Sequence, residues 1–382
     1  MKPILIAFAL IATVLAACQR GPVTIPGGHD NIVYFGRTDF SDSLHPKQWA
    51  AGAYFSVGFE GKYCIINISD EYYSDRRSNL LEVSLDYFSL TQPVVTKDSV
   101  TNIVIGNPPD EMMKTLKGNV VRCFENYFDT TDVKDLHTAI VCRNTETAMG
   151  YTQVNSVTAQ HTHREWLGPI WEFEFIGNSI TCGAEADTTL MPSKDYQWGD
   201  WHRAYYSYGP MTARNFRSSW SLVSVSGIGL IHSCCDMDVT MPQVFDKYVL
   251  RYNQKKYDSP HSPTHVFICL GQNDGIQDSA KFCNAYVDFV KQVDDFYRND
   301  SVYRYFLLTS PMADDELREW QKRMLTAIEQ RLKEERFDNV SKYFFSRSWN
   351  SGGASHPSIE EHKQIADELT EFIKQSFKTE DK

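Results

Sequence analysis

The chain has 382 residues, more than one ordinary domain needs, so two domains are expected. Its 38 lysine and arginine residues are outnumbered by 49 aspartate and glutamate residues, which gives a formal net charge of -11, and no basic run is present. Proteins that bind nucleic acid concentrate positive charge on one face, so this composition argues against a nucleic-acid partner.

The first 18 residues have the pattern of an export signal. The apolar stretch 4–14 is shorter than the about 20 residues of a membrane-spanning helix, and Leu-Ala-Ala-Cys at 15–18 matches a bacterial lipobox. Because this motif resembles the signal of lipoproteins, Cys18 is the predicted lipid anchor of an exported protein at the outer membrane, the cell surface or in the periplasm. A plain secretory signal cleaved nearby is the alternative. Residues 19–30, which contain Gly and Pro, are expected to form a tether.

Residues 31–162 are predicted to form a β-sandwich of jelly-roll type. Short apolar or alternating segments are separated by Gly, Asp, Ser and Asn, and no helical period is sustained. The clearest strand segments are residues 54–59, 64–68, 81–85 and 137–142.

Residues 163–382 alternate between strand and helix patterns, which predicts an α/β fold with three layers, α/β/α, around a parallel sheet. The border between the two domains is expected between residues 160 and 169. Strands are predicted at 171–176, 221–225 and 266–269, and helices from near Ser279, over about 314–335, and from the capping box at Ser358 to about Phe377.

A serine stands at the turn that follows the first predicted strand of this second domain. The segment 175–183 reads Phe-Ile-Gly-Asn-Ser-Ile-Thr-Cys-Gly, which places Ser179 between glycines where a strand gives way to a helix. A serine at such a turn projects above the sheet edge, and the turn can direct backbone N–H groups at a developing oxyanion. An ordinary strand-to-helix turn has the same pattern, so the motif needs partners.

Three later segments supply those partners. Each lies where a strand or loop gives way to a helix: Ser-Gly-Ile-Gly at 226–229, Leu-Gly-Gln-Asn-Asp at 270–274 and Ser-His-Pro at 355–357. In open α/β sheets ligands bind at the carboxyl ends of the strands, so these segments are expected to meet there. Separately, each has a structural alternative, because glycines serve tight turns and Asn273 or Asp274 could cap a helix.

Together these segments resemble the blocks of the SGNH hydrolases, and more closely those of carbohydrate esterase family 2, whose members are acetyl esterases acting on plant polysaccharides, including acetyl xylan esterases. The likeness extends over nearly the whole mature chain. It also includes Gly-Arg-Thr at 36–38, Arg-Asn-Thr-Glu at 143–146, the stretch 204–214 with Thr-Ala-Arg at its end, and Ala-Tyr at 285–286.

The resemblance implies a role for each residue of the four segments. Ser179 would be the nucleophile and His356 its general base, while the Ser179 backbone, Gly227 and the Asn273 side chain would form the oxyanion hole. Imidazole, with an ordinary pKa of about 6.5, can take the serine proton and return it to the leaving sugar hydroxyl. No cofactor and no metal is required by this mechanism.

The chain departs from the family pattern in two ways. Asn178 replaces the usual Asp, and Gly353 and Ala354 occupy the places where a carboxylate usually precedes the histidine. The family implies that a Ser-His dyad can suffice when a main-chain carbonyl orients the imidazole, and we adopt this as a hypothesis for His356. On that basis, substitution at Gly353 or Ala354 is expected to change activity little.

Aromatic residues and cysteines give weaker signals. Aromatic residues make up 13% of the chain, and although most are expected in the core, Trp198 and Trp349 are candidate platforms for sugar rings. Apart from Cys18, eight cysteines are scattered without the Cys-x-x-Cys spacing of a zinc site, and their pairing is open.

These patterns predict an exported serine esterase that removes O-acetyl groups from polysaccharide or oligosaccharide through an acyl-Ser179 intermediate. One alternative keeps the chemistry but uses another ester, such as an acetylated host glycan, peptidoglycan or a lipid. Another is a surface glycan-binding lipoprotein in which the hydrolase fold has lost activity, and Asn178 together with the missing carboxylate would favour it.

Overall fold

The computed structural model describes residues 21–71, 78–128, 136–165, 168–169, 171–190, 198–250, 255–258, 262–297 and 302–380. The predicted signal segment and Cys18 lie outside these residues. Two sheets organise the described chain: an 11-stranded sheet in the first part and a five-stranded parallel sheet in the second. The first sheet contains β1–β11 and the second contains β12–β16.

The strands, numbered in chain order, are β1 Val23–Pro26, β2 Ile32–Phe35, β3 Thr38–Asp39, β4 Lys47–Gln48, β5 Tyr54–Asp70, β6 Leu80–Leu85, β7 Leu90–Val95, β8 Val100–Gly106, β9 Asn119–Cys123, β10 Leu136–Arg143, β11 Thr152–His163, β12 Glu172–Gly177, β13 Ser219–Ser224, β14 His265–Ile268, β15 Arg304–Leu308 and β16 Val340–Tyr343. The helices are α1 Asp110–Met113, α2 Glu125–Phe128, α3 Ser179–Cys182, α4 Tyr208–Asn215, α5 Met241–Val244, α6 Ser279–Tyr297, α7 Asp315–Glu334 and α8 Ile359–Glu380.

Two long strands form the frame of the first domain. β5 has 17 residues and pairs along its first half with β2 and β10 and along its second half with β8, while β11 runs antiparallel to most of it. The strand therefore takes part in both halves of the β-sandwich, which encloses a core of Val, Ile and Phe side chains. Residues 23–26, expected within a tether, instead form β1 and pair with β11, because Ile25 is buried in this core.

The second domain has the predicted three layers. Its parallel sheet has the order β13-β12-β14-β15-β16, so β12 lies between the strands that follow it in sequence. Helices α6 and α7 pack on one face of the sheet, and α4 and α8 pack on the other. The chain passes from β12 to β13 on one side and then to β14 on the other side of β12. The carboxyl end of β12 is therefore a topological switch point, where ligands bind in such sheets.

One hydrophobic core joins the two domains. Tyr54 of β5 stacks on Trp220 of β13 with ring centroids 4.1 Å apart, and the Trp220 indole donates a hydrogen bond to the Gly52 carbonyl at 2.9 Å. Arg37, a buried residue of the first domain, donates to the carbonyls of Phe245 and Lys247 in the second. The sandwich is therefore packed against the five-stranded parallel sheet over a continuous interface.

Candidate active site

Ser179 is presented by a tight turn at the carboxyl end of β12. A Cβ atom at Gly177 would lie 2.0 Å from Thr181 Oγ1, so only glycine fits at this position. Asn178 then caps α3, because its side-chain oxygen accepts the Ile180 N–H at 3.1 Å. Ser179 begins the helix and is largely buried, with 8% of its surface exposed to solvent.

His356 contacts Ser179 although 177 positions separate them in sequence. Its Nε2 lies 2.9 Å from Ser179 Oγ, and its Nδ1 lies 3.1 Å from the Gly353 carbonyl oxygen. A carbonyl only accepts hydrogen bonds, so Nδ1 carries the proton and Nε2 offers its lone pair to the serine hydroxyl. This is the tautomer that a general base requires.

The segment before His356 has an unusual backbone conformation. Ala354 and Ser355 have φ angles of +43° and +62°, in the left-handed region that non-glycine residues seldom adopt. The segment turns back on itself, so that the His356 N–H and Nδ1–H both point to the Gly353 carbonyl, with the N–H at 2.8 Å. Backbone strain of this kind is commonly found at functional sites.

Glu185 is a site residue that the sequence patterns do not reveal. Its Oε2 lies 3.5 Å from Nδ1 of His356, farther than the Gly353 carbonyl oxygen. The side chain comes from the turn after α3, and not from the residues before His356, where the family pattern has a carboxylate. The spacing motif for a triad carboxylate could not have identified it.

Gly227 and Asn273 follow the two strands that flank β12, which brings them to the same sheet edge as Ser179. Gly227 has a φ of +85°, and within the described chain no acceptor is found for its N–H or for that of Ser179. The Asn273 side chain uses one N–H on the Ile228 carbonyl, at 2.7 Å, and has a second N–H to donate. These are the donors that the predicted oxyanion hole would use.

Asp274 holds the loop that follows Gly227. Its carboxylate accepts the backbone N–H groups of Leu230, Ile231 and His232 at distances from 2.7 to 3.1 Å. A structural part was expected for Asp274, and the observed one is to tie the two loops of the site together.

Glu146 reaches the site from the first domain. Its Oε2 accepts the Ser226 N–H at 2.7 Å and lies 3.5 Å from Cys182 Sγ, and its Oε1 lies 3.8 Å from His202 Nε2. Burial acts to raise the pKa of Glu146, but His202 and the Ser226 N–H outweigh it and hold the pKa below the ordinary value. Residues 143–146 belong to the segments that resemble the family, but no contact was predicted from the sequence for the Glu146 side chain.

The two candidate sugar platforms differ in exposure. Trp198 is 38% exposed and packs edge-on against His202 with ring centroids 4.6 Å apart. Trp349 is only 2% exposed and donates its indole N–H to Gln364 at 3.2 Å. The expectation for Trp349 is therefore corrected: its ring packs in the core against Phe345 and offers no face to a sugar.

The remaining sequence features lie outside the site. The eight cysteines from Cys64 to Cys283 are free thiols, and the described residues contain no group of His, Cys, Asp and Glu side chains able to hold a metal ion. No helix of the part that the structure describes is both long and apolar enough to cross a membrane.

Known proteins resemble this chain over most of its length. No protein-family model matches it. It is 25% identical over 366 residues to the cellulase/esterase CelE of Acetivibrio thermocellus, covering 90% of this chain and 39% of that protein. It is 26% identical over 209 residues to an acetylxylan esterase / glucomannan deacetylase of Cellvibrio japonicus, covering 52% of this chain and 55% of that protein. The chain thus spans less than two thirds of the length of these curated relatives.

Solved structures show the same fold. A family two carbohydrate esterase from Clostridium thermocellum, in complex with cellohexaose, superposes with a TM-score of 0.72 at 24% identity, covering 91% of this chain and 99% of that chain. The acetyl xylan esterase Est2A of the rumen bacterium Butyrivibrio proteoclasticus superposes with a TM-score of 0.72 at 15% identity, covering 94% of this chain and 99% of that chain. The predicted resemblance to family 2 carbohydrate esterases and the predicted fold, a jelly-roll β-sandwich followed by an SGNH-type α/β domain, are confirmed.

Proposed function

We propose that this chain is a carbohydrate O-acetyl esterase that removes acetyl groups from polysaccharide or oligosaccharide. The observation that carries the proposal is the geometry of Ser179, His356 and the Gly353 carbonyl, with contacts of 2.9 and 3.1 Å in series. The relatives named as acetylxylan esterase and glucomannan deacetylase support acetylated glycans as the substrate class.

The residues of the site account for both half-reactions. Ser179 Oγ attacks the acetyl carbonyl carbon while His356 Nε2 takes its proton, and the Ser179 and Gly227 N–H groups with the Asn273 amide stabilise the oxyanion. As the ester C–O bond breaks, His356 returns the proton to the sugar oxygen, which leaves acetyl-Ser179. Water then gives a proton to His356 and attacks the acetyl carbonyl carbon. As the bond between that carbon and Ser179 Oγ breaks, His356 returns the proton to Oγ, and acetic acid departs.

Hydrolysis of 4-nitrophenyl acetate tests the assignment of the nucleophile and the base. The wild type should release 4-nitrophenol, whereas Ser179→Ala and His356→Ala should fall to the background rate. Ser376→Ala, on α8 and away from the sheet edge, is the matched control and should equal the wild type. An inactive wild type would favour the glycan-binding alternative, and an active Ser179→Ala would reject Ser179 as the nucleophile.

The substrate requires its own experiment. Acetate release from a panel of acetylated xylan, glucomannan, peptidoglycan and host-type sialoglycans should be largest for plant polysaccharides. A clear preference for peptidoglycan or host glycans, or faster hydrolysis of a lipid ester tested beside the panel, would retain the chemistry and replace the proposed substrate.

Trp198 is the sugar platform in this proposal, because it presents an exposed indole close to His202. Trp198→Ala should raise KM several-fold for an acetylated polymer but leave KM for 4-nitrophenyl acetate within about twofold, since stacking on a sugar ring is available only to the polymer. Equal changes for both substrates would rule out a platform.

An exported, lipid-anchored protein is part of the same proposal. The lipobox ending at Cys18 supports a bacterial lipoprotein at the outer membrane, the cell surface or in the periplasm. In these locations the enzyme would have access to polymeric glycan. A labelled fatty acid should be incorporated into the wild type in cells and not into Cys18→Ser. Equal labelling of the two proteins would contradict the anchor and leave the plain secretory signal.

A further inference from the structure

Glu146 belongs to the β-sandwich domain, and its carboxylate extends into the second domain. The backbone around Glu146 is held in place within the first domain. Glu146 follows β10 and is fully buried. The Arg143 guanidinium donates to the carbonyls of Thr145, Glu146 and Gly150 at 3.0, 3.0 and 2.7 Å. Three such bonds hold the backbone around Glu146 in one conformation, so its side chain leaves the first domain in a defined direction.

The carboxylate meets both segments that would form the oxyanion hole. Its bond to the Ser226 N–H is 2.7 Å long, and Cys182 of the nucleophile helix α3 lies 3.5 Å from the same oxygen. Cys182 Sγ also contacts Ser224 at the end of β13, at 3.2 Å. One buried oxygen therefore joins the turn after β12 to the loop after β13.

This contact has a direct consequence for Gly227. The Ser226 N–H is occupied by Glu146, and the Gly227 carbonyl accepts the Cys234 N–H at 2.8 Å. The loop is thus held immediately before and immediately after the Gly227 N–H, which has no acceptor within the described chain. Fixing the two neighbouring groups fixes the direction of that N–H, and glycine alone tolerates the φ of +85° found there.

We propose that Glu146 is a positioning residue for the oxyanion hole, through which the β-sandwich domain completes the catalytic site of the neighbouring domain. The inference rests on the proposed esterase function and goes beyond it, because it assigns a role in the reaction to the first domain. His202 lies buried beside the carboxylate, with its Nε2 3.8 Å from Glu146 Oε1, and the Ser226 N–H is the donor that stabilises the buried carboxylate.

The test compares Glu146→Ala and Glu146→Gln with the wild type. Loss of one oxyanion donor typically costs about 100- to 1000-fold in kcat, and we expect Glu146→Ala to approach that loss with KM for 4-nitrophenyl acetate changed less than about threefold. Glu146→Gln keeps an oxygen acceptor but a neutral one, which makes a weaker hydrogen bond, so it should lose about tenfold. Affinity for phenylboronic acid, which forms a tetrahedral adduct with an active-site serine, should fall in parallel with kcat.

Glu82→Gln is the matched control. Glu82 is also a buried glutamate of the first domain that crosses the domain interface, where it accepts a hydrogen bond from Tyr206 at 3.2 Å, but it does not touch the loop 226–234. This variant should lower the melting temperature without changing kcat or the boronic acid affinity. Equal effects of Glu82→Gln and Glu146→Gln on kcat would mean that Glu146 acts only through stability, and would overturn the proposal.

The remaining outcomes separate this inference from the proposed function. A wild type without Ser179-dependent hydrolysis rejects both. An active wild type together with Glu146→Ala and Glu146→Gln variants of full kcat rejects the positioning role alone. If Glu146→Ala fails to fold, Glu146→Gln decides, because a loss of kcat at an unchanged melting temperature supports the proposal and full kcat contradicts it.

Discussion

His356 has two possible partners for its Nδ1–H, and their distances differ. The Gly353 carbonyl oxygen is 3.1 Å away, within hydrogen-bond range, whereas Glu185 Oε2 is 3.5 Å away. The carbonyl alone is enough to fix the tautomer. The dyad hypothesis requires a main-chain carbonyl at this distance from Nδ1. Because the Glu185 carboxylate lies nearby, its replacement tests whether the carbonyl is sufficient.

Glu185→Gln should therefore retain kcat within about tenfold of the wild type, because the orienting carbonyl is unchanged and Gln preserves the volume of the side chain. Removal of the carboxylate from a true Ser-His-Asp triad costs about 10⁴-fold in kcat. Steady-state kinetics with 4-nitrophenyl acetate distinguishes the two cases. A loss near the larger value would show that the site operates as a triad with Glu185 as its third member.

Gly353 itself is less tolerant than its sequence context suggests. A Cβ atom there would lie 2.8 Å from Glu185 Cβ and 3.0 Å from the Trp201 ring, so the expectation that substitutions at this position are harmless is corrected. Gly353→Ala must displace the segment that carries His356, and we expect a loss of more than about tenfold in kcat, since small displacements of catalytic groups are costly.

Ala354→Gly is the control for that prediction. Ala354 is exposed and has a φ of +43°, which glycine adopts more easily than alanine. Its kcat and melting temperature should equal or exceed those of the wild type. A Gly353→Ala enzyme indistinguishable from Ala354→Gly would show that the segment can move without affecting His356.

At the scale of elements, the buried parallel strands were the easiest to predict. β12, β13 and β14 begin within two residues of the expected positions, because all three strands carry the aromatic and aliphatic side chains that favour buried strands. Segments 54–59 and 64–68 were expected as two strands but form the single strand β5, since Gly61, with a φ of +92°, allows the strand to continue through the polar stretch between them.

The contacts of Glu146 and Glu185 could not be predicted in the same way. Motif spacing locates residues that follow strands of one sheet, because the fold fixes where strand ends meet. Glu146 arrives from another domain and Glu185 from a turn without a regular pattern, so their contacts depend on how separate elements pack. Sequence reasoning therefore indicated Ser179, His356, Gly227 and Asn273 as the candidate site residues, but not the groups that hold them.

Asp274 shows how much one such group can contribute to an element. Asp274→Asn leaves one oxygen for the N–H groups of residues 230–232 and places an amide donor against the others, so part of the loop loses its acceptors. Hydrogen bonds to a charged group contribute about 1.5–3 kcal/mol each, and we expect the free energy of unfolding to fall by about 2–4 kcal/mol.

Urea unfolding followed by circular dichroism measures this change, and kcat should fall with it because the same loop carries Gly227. Asp278→Asn, an exposed residue at the start of α6, is the control and should have a small effect on stability. A stable Asp274→Asn protein with full activity would show that the loop needs no anchor.

For the whole molecule, the domain interface and the active site are parts of one structure. Tyr54 and Trp220 share a buried aromatic cluster, Arg37 bonds across the interface, and Glu146 enters the oxyanion region through the same surface. A rearrangement of the domains would therefore disturb the carboxylate that holds the Gly227 loop. This arrangement gives a physical reason for a catalytic domain to retain its β-sandwich even if the sandwich never touches glycan.

Two buried histidines make the second domain sensitive to acid. Burial, with a smaller contribution from the neighbouring His356, lowers the pKa of His362 from 6.5 to about 3, and burial, assisted by Arg304, lowers that of His265 to about 4. Both are therefore neutral in the folded protein, and His362 Nδ1 accepts the Tyr208 N–H at 3.3 Å. The unfolded chain binds these two protons as the pH falls below about 6.5, whereas the folded protein does not until the pH is much lower.

The free energy of unfolding should consequently decrease as the pH falls through this window, by at most about 1.4 kcal/mol per pH unit for each histidine. His362→Asn keeps an acceptor for the Tyr208 N–H but cannot titrate, so its free energy of unfolding should change less between about pH 7 and pH 5 than that of the wild type. His161→Asn, at a partly exposed strand position, serves as the control and should keep the wild-type slope. Equal slopes for His362→Asn and the wild type would place the acid sensitivity elsewhere, whereas a reduced slope would assign part of the acid sensitivity to His362.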